Sequence, residues 1–214
     1  MWWDKIVAGN ILNRITKSCM IVADGEVLVM GSSQAKQPMT LVFHRTGQRR
    51  YAVAAQRSGF PDVEMNPAPG YDALIPHDMI HLVVEAQLGL TRAVFGQLAA
   101  GGDAGTFHIP STSGENVRAI ARARTRVKAR GRKLLKDGRD ECMKSEQAAH
   151  ICRHEWLARS SSTGQRVATQ LPTLDQRKLD EICEHLDELS ARWSNLEVGQ
   201  SMAVAWPSLA ILTA

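Results

Sequence analysis

The sequence predicts an α+β fold in which about five helices pack on a small antiparallel sheet. Strand-like runs lie near both ends of the chain, and helical periodicity of apolar residues dominates the region between them, which is the pattern of this class. With 214 residues, 44% of them hydrophobic, the chain can bury the core of one globular domain. We expect that domain over residues 39–207, after a poorly ordered extension or linker at 1–38 and before a C-terminal tail at 208–214.

The sheet is expected from an N-terminal hairpin and one C-terminal strand. Thr40–His44 and Tyr51–Gln56 are short β-compatible runs on either side of a polar turn that contains Gly47. Residues 201–207, SMAVAWP, alternate large apolar and smaller side chains before a proline, which is typical of a half-buried strand. Between them, residues 58–74 contain three prolines and two glycines, and this composition predicts a surface loop without regular structure.

Capping residues and apolar periodicity predict the helices. Pro76 suits the first helical position, which places Asp78 at the third, where its carboxylate can accept the free amide hydrogens of the first turn. Gly89 is a typical helix end, and Thr112 and Thr173 each begin a capping box. The predicted helices are Pro76 to Gly89, Thr91 to Ala100, Thr112 to Leu135, Glu141 to Arg159, and one from Thr173 through Trp193.

The first predicted helix carries two histidines, His77 and His81, four positions apart. Their side chains project from the same face about 6 Å apart along the axis, so both could bind one divalent metal ion such as zinc. This spacing is that of the H-E-x-x-H zinc signature, in which the acid is the general base, and here the acid is the shorter Asp78. Glu85 continues the stripe about 12 Å from His77 and is the second candidate for proton transfer.

A third metal ligand must come from elsewhere in the chain. The candidates are His108 and a second pair, His150 and His154, which has the same spacing and lies beside Cys152 and Glu155. Two alternatives remain open. The histidines of the first helix could be half-buried residues that hydrogen-bond to the backbone, with Asp78 as a helix cap, or they could transfer protons without a metal.

Two blocks of this sequence resemble a group of uncharacterised bacterial proteins. They are the run Pro76-His77-Asp78-x-x-His81-x-x-Val84-Glu85 with the following Gly89-Leu90 and Phe95-Gly96, and the segment ARWSNLEVGQSMAVAWP near the C-terminus. The resemblance covers about residues 38–207. No activity is attached to that group, so the resemblance implies a bacterial origin and assigns no catalytic residues.

A strongly basic segment, residues 118–139, contains ten lysines and arginines and one acid, Asp137. It carries a charge of +9 in a chain of net charge +4, so the remainder is net acidic. Such a helix could contact nucleic acid or an acidic protein partner. Alternatively, it could pair with the acidic helix that follows Thr173, within the fold or across a homo-oligomer, or it could be a solvated surface. The candidate contact residues are Arg122, Arg126, Arg130 and Lys133.

The composition of the chain argues against a membrane-spanning or secreted protein. No apolar run approaches the roughly 20 residues that cross a bilayer, so no membrane-spanning role is expected. The four cysteines lack C-x-x-C spacing and the first residues lack a secretory pattern, which predicts reduced thiols and a cytoplasmic protein. Three hypotheses follow: a divalent-metal-binding protein with metal-dependent hydrolase activity, a non-enzymatic protein that binds through its basic helix, and a structural or assembly component without a small-molecule site.

Overall fold

The computed structural model describes residues 39–110, 117–160 and 174–212, and it confirms the α+β class. In these ranges five helices accompany one five-stranded antiparallel sheet. The extension predicted at residues 1–38 lies outside the described residues. Within the described ranges no helix is both long enough and apolar enough to cross a membrane.

The sheet has the strand order β3-β2-β1-β4-β5. The predicted hairpin and C-terminal strand are present, and β1 lies in the centre, where Leu41 pairs with Ala55 on one side and Val204 on the other. Alternate residues of β1, such as Leu41 and Phe43, are completely buried, so one face of the sheet forms part of the core. The strands are β1 Met39–Gly47, β2 Arg50–Arg57, β3 Val63–Ala68, β4 Ser201–Trp206 and β5 Ile211–Leu212.

The two outer strands were not expected. The prediction of an irregular loop at 58–74 is wrong for β3, because Val63 and Met65 alternate toward the core and pair with β2. Pro67 is compatible with this strand because β3 is at the edge of the sheet, where a missing N–H group interrupts no ladder. β5 lies in the segment assigned to a C-terminal tail, where Leu209 is buried and the strand pairs with β4.

The five helices follow the predicted order, with differences at their ends. The first begins after Pro76, which is its N-cap, and it ends at Gly89 in the left-handed conformation at φ 67°. The last is capped by Asp175, which accepts a hydrogen bond from the Lys178 amide at 2.8 Å. The predicted capping boxes at Thr112 and Thr173 include residues outside the described ranges. The helices are α1 His77–Leu88, α2 Val94–Ala99, α3 Val117–Asp137, α4 Arg139–Ser160 and α5 Gln176–Ser194.

Helix α1 is largely buried, and it packs against α4 and α5. Its residues 79–85 are all buried, including the polar residues His81 and Glu85. A helix surrounded by other elements holds its side chains in fixed positions. The polar groups of α1 therefore have a rigid setting, and the groups that contact them come from α2, from α4 and from the sheet.

Candidate metal centre

Three side chains from α1 and α4 form one compact group of metal-ligand type. The ligand atoms of His77, His81 and Glu146 all lie within 4.8 Å of one another. His81 Nε2 is 3.0 Å from His77 Nε2 and 3.7 Å from Glu146 Oε2. Ligand atoms of a tetrahedral zinc ion with bonds of about 2.0–2.1 Å are about 3.3 Å apart. The two distances lie on either side of this value, so small rotations of the side chains would close the group on an ion.

The position of Glu146 supplies a second, independent observation. Among the described residues, only three buried side-chain nitrogen or oxygen atoms lack a hydrogen-bond partner, and Glu146 Oε1 is one of them. An unsatisfied buried acceptor is costly, and a carboxylate oxygen in this state requires a donor or a cation. A metal ion held by the two histidines and bound through both oxygens of Glu146 would give Oε1 the partner that the described residues do not provide.

A buried hydrogen-bond chain fixes the His81 ring. His81 Nδ1 is 2.8 Å from the Ser145 hydroxyl oxygen, and the Ser145 hydroxyl donates to Glu85 Oε1 at 3.0 Å. Because Ser145 has one hydroxyl hydrogen and gives it to Glu85, its oxygen accepts from Nδ1–H of the ring. The lone pair of His81 is then on Nε2, the atom that faces His77 and Glu146. A second partner of this kind commonly orients a metal-bound histidine.

Glu85 lies beneath this chain and has no exposed surface. Its two oxygens accept hydrogen bonds from the Phe95 amide at 2.8 Å and the Val94 amide at 3.1 Å, at the start of α2. Burial raises the pKa of Glu85 to about 8, although the bonds from Phe95, Ser145 and Val94 oppose this effect. The structure therefore places the predicted proton-transfer residue behind His81, where it does not reach a substrate on the surface.

The electrostatic setting keeps both imidazoles neutral. Burial, followed by the influence of the neighbouring His77, lowers the pKa of His81 to about 3. Burial, followed by the charge of Arg153, also lowers the pKa of His77. Burial raises the pKa of Glu146 above its usual range. A histidine must be neutral to bind a metal, so the ligand form of both rings is already favoured near neutral pH.

Asp78, the other predicted proton-transfer residue, points toward the sheet. Its carboxylate accepts a hydrogen bond from the hydroxyl of Tyr51 on β2, and no side-chain bond caps the helix. Burial raises the pKa of Asp78 to about 6, and the bond from Tyr51 opposes this effect. The cap role considered from the sequence is wrong, and Asp78 is not in the ligand group.

The three histidines predicted to supply the third ligand are outside the group, whose third member is Glu146. His108 lies elsewhere, with Nε2 3.6 Å from a carboxylate oxygen of Glu64. His150 and His154 are on the correct helix, one and two turns beyond Glu146, and they line the same groove. The sequence contained a usable signal, because Glu146, His150 and His154 are spaced by four and share one face of α4.

The groove beside the ligand group of His77, His81 and Glu146 has a volume of about 380 Å³. His77 and Glu146 form one wall, and the wider lining comes from α4 and from the segment before α1. Arg153 forms an ion pair with Asp72 at 3.1 Å at this site. The lining residues are Gly70, Tyr71, Asp72, Ile75, His77, Glu146, His150, Arg153 and His154. The exposed side of the ligand group therefore faces a space that can hold a small molecule.

The four residues predicted for nucleic-acid or partner binding lie on α3, away from this group. Arg122, Arg126 and Lys133 are exposed. Arg130 differs, because its guanidinium group lies over the Phe60 ring at 4.7 Å from the centroid.

Comparison of the chain with protein-family models, with curated proteins and with solved structures found no significant match.

Proposed function

We propose that this protein binds a divalent metal ion, best matched by zinc, through His77, His81 and Glu146, and that it is a metal-dependent hydrolase. The observation that carries the proposal is the convergence of three ligand atoms within 4.8 Å, one of them on a carboxylate whose other oxygen is buried without a partner. Two helices supply the group, and a hydrogen-bond chain orients its buried histidine.

The donor set favours a catalytic site over a structural one. Structural zinc sites are closed by four protein ligands, whereas two histidines and one glutamate are a donor set of catalytic zinc sites. Such a set leaves a coordination position for water, and a bound zinc ion lowers the pKa of that water to about 7. His77 is exposed and lines the groove, so the open position would face a substrate rather than the protein interior.

The other groove residues suit substrate handling. His150 and His154 lie near the group with ring centroids 4.5 Å apart, and a histidine in this position is the usual partner for proton transfer. The Arg153 guanidinium group can donate to an anionic or carbonyl oxygen of a substrate while Asp72 holds its position. Glu85 and Ser145 act indirectly, because they contact His81 and not the groove.

Metal analysis with matched variants tests the binding proposal. We expect one zinc ion per chain in the wild type and a loss of affinity of at least about tenfold in His77→Ala and Glu146→Gln. His77 is exposed, so its replacement tests the site without opening the core. The matched controls are His108→Ala and Glu64→Gln, which remove another histidine and glutamate pair and are expected to retain zinc. Unchanged zinc affinity in both site variants would contradict the proposal.

Hydrolysis requires a separate experiment. The zinc-loaded protein is assayed on chromogenic carboxylic esters, phosphate esters and amides, before and after removal of the metal with a chelator. We expect turnover of one class that is lost with the metal and restored by zinc, and a lower kcat in His150→Ala with unchanged zinc content. If zinc binds with the expected affinity but no class is hydrolysed, the hydrolase assignment is wrong and the metal-binding assignment stands.

A further inference from the structure

The outward face of α3 is a second surface that could bind a partner. This helix has 21 residues and is therefore about 30 Å long. Only Val127 and Gly131 are buried, and together with the half-buried Ile120 and Leu134 they form a narrow seam toward the protein. At 100° per residue the opposite half of the helix carries, besides Arg118, six exposed cations. They are Arg122, Arg126, Lys128, Arg132, Lys133 and Lys136.

These six cations are not neutralised by other residues that the structure describes. None of them forms an ion pair with any residue in the described part of the chain. The acidic helix α5 was one expected partner, but among the described residues none of its carboxylates forms an ion pair with α3. Asp180 pairs with Arg159, and Glu181 pairs with Arg177 and Lys178. The expected pairing of α3 with α5 within one chain is therefore not formed among the described residues.

The residues between the cations are small. Ala121, Thr125 and Ala129 are exposed and run along the middle of the same face, with Arg122 and Arg126 on one side and Lys128 and Arg132 on the other. The Thr125 hydroxyl donates to the Ala121 carbonyl of its own helix at 3.0 Å. No other side chain of α3 on this face projects beyond the cations, so a polyanion can lie along the helix.

We propose that this face of α3 binds the phosphate backbone of a nucleic-acid duplex without reading its sequence. A duplex offers a continuous row of phosphates along the length of α3, and lysine and arginine are the residues that neutralise them. The face has no aromatic side chain on which unpaired bases could stack, so a duplex fits better than a single strand.

Two other anionic partners fit the same face less well. A helix that inserts into a membrane surface needs a free apolar face, but the apolar seam of α3 packs against the protein core. Protein interfaces are depleted in lysine and are anchored by aromatic and large apolar side chains, and this face has none. Both partners are outcomes that the experiment distinguishes from duplex binding.

The test measures binding of the full chain to a fluorescent 30-base-pair duplex of mixed sequence, as DNA and as RNA, across a salt series with a chelator present. The chelator separates this activity from the metal site. We expect a dissociation constant of about 1–100 μM near physiological salt and a steep loss of affinity as the salt concentration rises. The triple variant Arg122→Ala, Arg126→Ala and Lys133→Ala should flatten the salt slope by about three, because each lost phosphate contact reduces it by about one.

The matched control removes the same charge from other surfaces. Arg49→Ala, Arg50→Ala and Arg192→Ala change three exposed arginines outside α3 and should leave the slope unchanged. Helical content of both variants is checked by circular dichroism, and alanine preserves helix propensity. If both triple variants lose duplex affinity equally, net charge alone explains binding and the proposal is overturned. Absence of duplex binding at low salt would also overturn it, as would binding confined to phosphatidylserine vesicles or polyglutamate.

Discussion

Replacement of Ser145 by alanine tests the hydrogen-bond chain that orients the candidate metal ligand. The Ser145 hydroxyl lies 2.8 Å from His81 Nδ1 and 3.0 Å from Glu85 Oε1, and all three residues are buried. The substitution leaves two buried polar atoms without this partner, at a cost of about 1–3 kcal/mol each. We therefore expect the free energy of unfolding to fall by about 2–6 kcal/mol. Zinc affinity should fall about 10–100-fold, since the ring loses the contact that sets its tautomer.

Both quantities are measured on the same protein samples. Urea unfolding in the presence of a chelator gives stability without metal, and a competition titration at a temperature where the variant is folded gives zinc affinity. Ser194→Ala is the control, because that hydroxyl is exposed and donates only to backbone oxygens of its own helix. If Ser145→Ala loses stability but binds zinc as tightly as the wild type, Ser145 supports the core and does not orient His81. The chain of contacts would then have no role in metal binding.

Three further predictions concern buried groups. The folded pKa of Glu85, about 8, exceeds its ordinary value of 4.5, so its stabilising contribution is present at low pH and is lost as pH rises from about 4.5 to 8. The free energy of unfolding of Glu85→Gln should therefore decline less than that of the wild type over this pH range. Urea titration at several pH values, in the presence of a chelator, measures this difference. Tyr51→Phe removes the hydrogen bond that lowers the pKa of Asp78, so carboxyl NMR should give an Asp78 pKa above about 6, and an unchanged pKa would contradict the assigned contact. Gly96→Ala places a Cβ atom 2.0 Å from the Thr91 carbonyl oxygen and should lower the free energy of unfolding by about 1–3 kcal/mol or more. A thermal melt that gives the wild-type Tm would contradict the packing of α2.

The elements that could be predicted from the sequence are those with a strong local pattern. The α5 helix follows from apolar residues at helical spacing, and Leu179, Ile182, Leu186, Leu189 and Trp193 are all buried. Gly89 ends α1 in the left-handed conformation that glycine adopts without strain. The hairpin of β1 and β2 follows from two β-compatible runs around a polar turn. In each case short-range sequence and the packed structure favour the same conformation.

The outer strand β3 was missed because its local composition and its packing disagree. Pro67 and the prolines around it favour irregular structure, but Val63 and Met65 gain burial by pairing with β2. The cap assigned to Asp78 failed for a related reason. A buried Tyr51 hydroxyl from another element offered its carboxylate a partner, which a local capping pattern could not reveal. Tertiary contacts decided both positions.

The candidate site was predicted in part, because two of its residues are close in sequence and the third comes from a distant part of the chain. His77 and His81 are ligand candidates by spacing alone, and the structure brings them within 3.0 Å. Glu146 could not be paired with them from spacing, since it comes from a helix more than sixty residues further along the chain. Only the packing of α4 on α1 joins them. The spacing of Glu146, His150 and His154 on one face of α4 could be seen in the sequence, but this spacing does not reveal which helix that face contacts.

The energetic cost of this polar group argues that it serves more than the fold. Along α1 the stripe runs from the exposed His77 to the buried His81 and then to Glu85, which has no exposed surface. Apolar residues of similar size would fill the two buried positions without the cost of removing polar and ionisable groups from water. Burying Glu85, whose pKa is raised to about 8, and a Glu146 oxygen with no partner among the described residues therefore costs the folded protein free energy. A cation bound between His77, His81 and Glu146 would recover part of this cost, so zinc should raise the Tm of the wild type more than that of Glu146→Gln.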